Sequence, residues 1–165
     1  MFDDNLQTIL DRLCHNLKRD VLVQDHLNDI RISLGVDRAV LYYFYRQWSG
    51  RVTCESVKSQ DLSIFGSTGP DDCFNSEYAK LYKEGRVKAI ADIETEPINV
   101  CHRNFLRSLK VRANLVVPVL IDGNLWGLLI AHHCTGSRKW SLSDIEFMDK
   151  KAKTMATYST IRNQC

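Results

Sequence analysis

Apolar residues near the amino end of the chain recur every three or four positions, which is the period of one helix face. In the first stretch these residues are Phe2, Leu6, Ile9, Leu10, Leu13 and Leu17. In the second they are Val23, Leu27, Ile30 and Leu34, and Gly35 follows as a stop signal. The pattern predicts two helices within residues 1–35.

Beyond residue 35 the period shortens, and β-branched and aromatic residues become frequent, as is typical of strands. Residues 38–45 and 52–57 form a predicted hairpin around Trp48-Ser49-Gly50. A second predicted hairpin joins residues 111–121 to residues 125–134 through the turn Asp122-Gly123. A final helix is predicted to open with Ser143 and Glu146 in capping-box spacing and to run toward the carboxyl end.

Residues 59–110 between the hairpins are irregular by comparison. They contain three glycines and two prolines, and they predict a short helix at 76–82, a strand at 87–93 and a helix that begins near Cys101. A segment of this length inside a compact domain usually carries function.

The second hairpin is apolar on both of its alternating faces, as residues 115–121 and 126–131 show. An antiparallel hairpin normally leaves one face in water, so this one must be covered twice. The terminal helices can cover one face, and the irregular segment, with a ligand beneath it, can cover the other. The sequence therefore predicts an α+β fold built on a central antiparallel sheet.

Composition narrows the functional classes. The chain has 165 residues, 44% hydrophobic and 25% charged, which is typical of one globular domain. A net charge of +2, scattered along the chain, argues against a nucleic-acid partner. No apolar run is long enough for a membrane span and no export signal stands at the start, so we expect a cytoplasmic protein without membrane insertion.

Two cysteines stand in patterns that suggest chemistry. Cys101 precedes His102 at a predicted helix start, where amide dipoles and a cationic imidazole would favour the thiolate. Cys73 lies in the run Asp71-Asp72-Cys73-Phe74. Taken alone, the first pair also fits a buried cysteine beside a solvated histidine, and the run fits a turn with a hydrophobic anchor.

A family resemblance favours the chemical interpretation. The matching strings are Trp48-Ser49-Gly50, Glu55-Ser56-Val57, Gly85-Arg86-Val87, Asp92-Ile93, Cys101-His102, residues 113–118 and residues 125–134. Together they resemble the bilin-binding GAF domain of cyanobacteriochromes, which are distant relatives of phytochromes. Asp71-Asp72-Cys73-Phe74 resembles the Asp-x-Cys-Phe motif of their dual-cysteine subgroup.

The resemblance implies a role for each matching residue. Cys101 would attach to the A-ring of a linear tetrapyrrole through a thioether, and His102 would lie beneath the tetrapyrrole. Cys73 would add reversibly to the bridge between the middle pyrroles. Asp71 would accept hydrogen bonds from pyrrole nitrogens, and Phe74 would complete this chromophore-binding motif.

Further binding residues are implied less directly. His132 would lie near the D-ring, on a strand face that it shares with Trp126, Leu128, Ile130 and Cys134. Tyr82 matches a pocket tyrosine of the family. Arg86 is expected to bind a propionate, and the spacing leaves Lys80, Lys83 and Arg112 as alternatives.

The implied function is a photoreceptor input domain, not an enzyme, apart from autocatalytic bilin ligation and isomerisation. Bound phycocyanobilin or phycoviolobilin would switch between a violet or blue form and a longer-wavelength form, teal or green to orange. The whole chain, 1–165, would be one photosensory domain: helices in 1–35, sheet and pocket in 36–134, and a helix in 141–165. Its expected partners are the output module of a longer signalling protein and a second copy through the terminal helices.

Two other classes stay open from the residues. A GAF module could bind a cyclic nucleotide or another small metabolite. A thiol enzyme or a metal protein could use the thiolate and imidazole groups of Cys101, His102, His132, His133 and Cys134.

Overall fold

The computed structural model describes residues 2–69 and 76–162. Two helices come first, α1 at Phe2–Arg19 and α2 at Val21–Leu34, followed by strands β1 at Arg38–Arg46 and β2 at Ser49–Val57. A 3-10 turn at Gln60–Leu62, helix α3 at Ser76–Lys83, strand β3 at Lys88–Ile90 and helix α4 at Val100–Ser108 form the middle. Strands β4 at Ala113–Ile121 and β5 at Asn124–His133 precede helices α5 at Leu142–Met155 and α6 at Ser159–Arg162.

The five strands form one antiparallel sheet in the order β2-β1-β5-β4-β3. The hairpin turn between β4 and β5 is the predicted Asp122-Gly123, and both residues have positive φ, 51° and 80°. Such a turn matches the twist of the flanking strands, which explains the Asp-Gly pair. The predicted α+β fold is confirmed.

One face of the sheet packs against α2 and α5. The apolar stripe of α2 is buried as its period predicts, and Gly35 ends the helix in the left-handed conformation. From α5, Met148, Ala152 and Met155 join this core. Alternate strand residues complete it: Ala39, Leu41, Leu115, Val117, Val119, Leu129 and Ala131.

The other face of the sheet carries a second apolar cluster that α3 covers in part. Its buried members are Val40, Tyr42, Phe44, Val52, Ala79, Tyr82, Val116, Leu125 and Leu128. A smaller cluster of Ile90, Ile93, Leu106 and Val111 lies under α4. The second hairpin is therefore covered twice, by the helices on one side and by the middle segment on the other.

A bulge in β5 corrects one prediction. Val119 pairs with Gly127 and Leu120 with Leu125, so that Trp126 is an extra residue in its strand. Trp126 consequently packs in the helix-side core, with its ring 4.8 Å from that of Tyr43. The prediction that Trp126 shares a face with His132 is wrong, because the bulge reverses the alternation at that point.

Three element ends also differ from prediction. Strand β3 is shorter than predicted, because the Asp92 carboxylate accepts the Glu94 amide and turns the chain there. The capping box of α5 is formed by Ser141 and Asp144 instead of Ser143 and Glu146. The carboxyl-terminal helix is also interrupted after Met155, and α6 follows the break.

Candidate functional site

A cavity of about 330 Å3 lies between the second face of the sheet and helices α3 and α4. Most of its wall is apolar or aromatic, including Tyr42, Phe44 and Trp48 from the first hairpin. Its nitrogen-bearing polar wall residues are Arg86, Lys88, Asn99, His102, Asn114 and His132. An apolar cleft with a few convergent polar groups is the usual form of a small-molecule site.

Helix α4 carries Cys101 next to His102, which lines this cavity. The Asn99 side chain caps the helix by accepting a hydrogen bond from the Cys101 amide at 2.8 Å, so the predicted helix start is confirmed. The Cys101 residue is exposed, whereas His102 is half-buried and lines the cavity. The Cys101 sulfur is in a disulfide bond in the structure, so its reduced form is the one that could attack an electrophile.

His102 does not provide the expected cation. Burial lowers the pKa of its imidazole, and Lys88 and Arg86 lower it further. Because the imidazole is then neutral near pH 7, it cannot stabilise a Cys101 thiolate by charge. Among the described residues, the amino terminus of α4 is a local feature that favours the thiolate.

His132 lies in the cavity wall and is only 3% exposed. Its Nδ1 atom accepts a hydrogen bond from Arg38 Nε at 3.1 Å. Burial, with a further contribution from the Arg38 charge, holds the pKa of His132 well below its ordinary value. The imidazole is therefore neutral, and its proton resides on Nε2.

Tyr82 and Arg86 lie together at the α3 side of the cavity. Burial raises the pKa of Tyr82 to about 12. The Arg86 guanidinium lies over the rings of Tyr78 and Tyr82, with its central carbon 5.8 and 5.9 Å from their centroids. An arginine held on aromatic faces keeps its donors available for an anion.

The chain matches the GAF domain family over residues 18–157. It is a GAF domain.

Relatives of this GAF domain occur in cyanobacteria. An uncharacterized protein of Picosynechococcus sp. is 47% identical over 94% of this chain and 96% of its own length. A protein of Synechocystis sp. assigned to the methyl-accepting chemotaxis proteins is 41% identical over 72% of this chain. The chain spans only 12% of that second relative, so the relative is a much longer protein.

Solved structures show the same fold. The Thermosynechococcus elongatus PixJ GAF domain, in its blue-light absorbing form, superposes with a TM-score of 0.78 and 35% identity. That match covers 86% of this chain and 83% of the other. The phycocyanobilin-bound GAF domain of a cyanobacterial phytochrome gives 0.73 and 25% identity, over 93% and 95% of the two chains.

The other candidate cations lie outside the cavity wall of this GAF domain. Lys80 pairs with Glu84 on the surface, and Lys83 is exposed. Arg112 binds the Asp92 carboxylate, with Nε 2.7 Å from Oδ1. Of the four cations considered for a propionate, the geometry brings Arg86 alone to the described cavity wall.

Two wall residues of the GAF domain were missed from sequence. Lys88 reaches the cavity from β3, and its own partner is Glu96 at 3.9 Å. Asn114 is 3% exposed, and its Oδ1 atom has no hydrogen-bond partner among the described residues. Asn114 could have been recognised from the sequence, because it is a polar residue inside the apolar run of residues 113–121.

Asp71, Cys73 and Phe74 lie outside the described residues. His133 is separated from His132, because successive strand residues point to opposite faces, and its Nδ1 lies 2.8 Å from the Gly136 carbonyl oxygen. Within residues 2–69 and 76–162, no group of three or more His, Cys, Asp and Glu side chains could hold a metal ion. None of the helices described there is long and apolar enough to cross a bilayer.

Proposed function

We propose that this GAF domain is a photosensory input domain that carries a covalently bound bilin. The observation that supports this most is the position of Cys101 at the amino end of α4, next to His102 in the cavity wall. A reduced thiol one residue away from the wall of an apolar cavity suits the capture of a large conjugated electrophile. Similarity to the blue-light absorbing PixJ GAF domain supports a photosensory role, and similarity to the phycocyanobilin-bound phytochrome GAF domain supports the ligand class.

The residues around the cavity fit such a ligand. Aromatic and aliphatic walls suit pyrrole rings, which lose contact with water there. Arg86 and Lys88 both line the cavity and both act on the charge of His102, and the two cations suit two propionate groups. Asn114 and His132 supply hydrogen-bonding groups on the sheet. When bound, the bilin supplies the absorption of visible light and isomerisation next to its D-ring.

Cys101 acts in this proposal as the attachment point. Its sulfur forms a bond to the ethylidene carbon of the A-ring, and the thiol proton ends on the neighbouring ring carbon. This addition oxidises and reduces nothing, so it requires no further reactant. The chain therefore ligates its own chromophore and is not a turnover enzyme.

The finer photocycle rests on the motif that contains Cys73 and Asp71. In this proposal the Cys73 thiolate adds to the central methine carbon, and its electron pair enters the cationic conjugated system. Such an addition would shorten the conjugation and give the violet or blue form, and its release would restore the longer-wavelength form. Asp71 would accept hydrogen bonds from the pyrrole nitrogens, and Phe74 would belong to the same chromophore-binding motif.

Absorption spectra of the protein co-expressed with enzymes that make phycocyanobilin test these assignments. Reduced wild-type protein should show a covalent visible band that light interconverts between two forms. Cys101→Ala should lose covalent colour, and Cys73→Ala should keep it but lose the short-wavelength form. Cys54→Ala, at a buried cysteine of the helix-side core, is the control.

Each contrary result removes a stated part of the proposal. A colourless wild-type protein would contradict the photoreceptor assignment. It would favour the alternative function, in which the GAF domain binds a cyclic nucleotide or another metabolite. A Cys73→Ala variant that switches like wild type would end the dual-cysteine photocycle alone. Digestion and mass analysis of the bilin peptide would show whether phycocyanobilin has become phycoviolobilin.

The proposal also covers the protein to which the domain belongs and its association with a second copy. Residues 1–165 would act as one input unit of a longer signalling protein, as the much longer chemotaxis relative suggests. Homodimer formation through the terminal helices is part of the same proposal. Sedimentation of the bilin-loaded domain over a range of concentrations would test it, and a monomer throughout would contradict it.

A further inference from the structure

Helix α6 is held in place by contacts with distant parts of the chain. Its Thr160 hydroxyl donates a hydrogen bond to the Asp20 carboxylate, which also caps α2. Its Arg162 guanidinium donates to Asp122 in the turn between β4 and β5, at 3.0 Å. Between these two residues, Ile161 is fully buried in the helix-side core. Helix α6 is therefore anchored by polar contacts on both sides of one buried side chain.

The break between α5 and α6 contains no residue that must end a helix. The sequence has neither glycine nor proline from position 137 onward, and Ala156 keeps helical angles, with φ −62° and ψ −17°. The amides of Thr157 and Tyr158 bond to carbonyls three residues back, at 3.0 and 3.1 Å, which is 3-10 spacing. Because the local sequence allows a helix to continue, the distant contacts of residues 156–162 keep the break in place. We call residues 156–162 the α6 segment.

His26 of α2 makes the contact of the α6 segment that depends on protonation. Its Nε2 atom shares a hydrogen bond with the Tyr158 hydroxyl, and the two rings lie 5.3 Å apart at an angle of 55°. Burial and the nearby Asp20 raise the pKa of Tyr158, so its hydroxyl keeps its proton. The Nδ1 atom of His26 is buried without a hydrogen-bond partner among the described residues. An imidazolium would carry a proton on both nitrogens, and a buried N–H without an acceptor is costly.

Burial and the surrounding charges together favour the neutral imidazole of His26. Burial lowers its pKa, and the Lys151 ammonium of α5 lowers it further, whereas Asp29 and Asp25 of α2 oppose this effect. Asp29 is itself paired with Lys151, which offsets its charge. Neutral His26 therefore stabilises the docked α6 segment at pH values above 6.5, the ordinary pKa, and this stabilisation is lost as the pH falls through the lowered value.

We propose that the α6 segment is a pH-sensitive switch: protonation of His26 releases the segment from α2, and the released residues extend α5 as one helix. In the docked state, His26 is neutral and bonded to Tyr158. In the released state both imidazole nitrogens reach water, Ile161 leaves the core, and one helix runs over residues 142–162. The proton comes from water and returns to it, so the switch needs no other reactant. It operates without a bilin.

NMR of the reduced full chain, labelled with 13C and 15N, tests the switch without any bilin. At about pH 8 we expect the Ile161 methyl resonance of a buried side chain. As the pH falls from about 6.5 to about 5, a second resonance typical of an exposed isoleucine should grow at least tenfold, together with helical Cα shifts at residues 156–159.

Two histidine variants show whether His26 is the group that responds. His26→Gln stays uncharged and can still bond to the Tyr158 hydroxyl, so its Ile161 resonance should not change over this pH range. His133→Gln is the matched control at another half-buried histidine, and it should keep the wild-type response. If His26→Gln fails to fold, Tyr158→Phe replaces it: loss of the hydroxyl should raise the released population at least threefold already at about pH 8.

Contrary results would overturn the switch and leave the bilin function standing, because absorption spectra test that function separately. A wild-type Ile161 resonance that stays unchanged down to about pH 5 would overturn the pH response. A His26→Gln variant that responds like wild type would overturn the role of His26, and so would a Tyr158→Phe variant with an unchanged released population. A released segment without helical Cα shifts would overturn the extension of α5.

Discussion

Two arginines of this GAF domain, Arg38 and Arg86, have different surroundings. Arg38 is buried and fixed by three acceptors, whereas Arg86 rests on two aromatic rings and lines the cavity. The first arginine is suited to orient a neighbour, and the second is suited to meet an anion that enters from outside. This difference in surroundings, more than the residue type, decides which of the two could bind an anion in the cavity.

Tyr82 gives a prediction at high pH. Burial raises its pKa from 10 to about 12, so its neutral form stabilises the fold fully below pH 10 and this contribution is lost as pH rises toward 12. We expect the phenolate absorbance of wild type and Tyr82→Phe to agree up to about pH 10 and to diverge near pH 12. A difference already present at pH 10 would mean that the Tyr82 hydroxyl reaches water.

Asp92 gives a prediction at low pH. Its hydrogen bonds with Arg112 and the Glu94 amide lower its pKa to about 2. Because the pKa of Asp92 is lower in the folded state, its ionised carboxylate stabilises the fold at pH values above 3.8, the ordinary pKa. This stabilisation is lost as the pH falls toward 2. The urea midpoints of wild type and Asp92→Asn should therefore differ at pH 6 and converge near pH 2. Midpoints that agree at pH 6 would show that this ion pair has no effect on stability.

Helix α5 provides a prediction that distinguishes the observed cap from the one expected from sequence. Ser141 Oγ accepts the Asp144 amide at 3.1 Å, and the Asp144 carboxylate accepts the Ser141 amide at 3.0 Å. Ser141→Ala should lower the free energy of unfolding by about 1 kcal/mol, the usual cost of a lost cap. Ser143→Ala is the matched control: it removes the contact of the Ser143 hydroxyl with Ser141 Oγ at 3.0 Å but leaves both hydrogen bonds of the capping box, so it should change this free energy less. Equal effects in urea unfolding would contradict the assigned cap.

Strands β1 and β5 approach each other closely at Gly127, which gives another prediction. A Cβ atom at this position would lie 2.0 Å from the Tyr42 carbonyl oxygen, and backbone cannot move aside cheaply. Gly127→Ala should lower the free energy of unfolding by about 1–3 kcal/mol, as overpacking does. Gly136 has no atom within 4 Å of such a Cβ, so Gly136→Ala should be close to neutral in the same urea titration.

The sequence predicts well those elements in which a regular pattern of apolar residues extends over many positions. The buried stripe of α2 and the two-faced β4–β5 hairpin follow from spacing alone. The bulge at Trp126 was not predictable, because one extra residue leaves no periodic signal yet reverses the alternation. The contact between Arg38 and His132 joins strands distant in the chain, so register had to be known before this contact could be inferred.

On the scale of the whole molecule, the sheet separates two unequal cores. The helix-side core is closed by α2 and α5 and contains many fully buried residues. The opposite side has a smaller cluster and a cavity of about 330 Å3, with α3 and α4 above it. The helix side of the sheet is therefore closely packed by the protein itself, whereas the cavity side has room for a ligand whose contacts would stabilise the fold.

Hydrogen exchange can detect this asymmetry. In protein without bilin, we expect the amides of α3 and α4 to exchange faster than those of α2 and α5, since fewer apolar contacts hold them. Bilin loading should slow exchange in α3 and α4 by at least tenfold and should leave α2 and α5 nearly unchanged, because the new contacts form on the cavity side. Uniform slowing in all four helices would contradict the separation into two cores and indicate that the domain opens as a single unit.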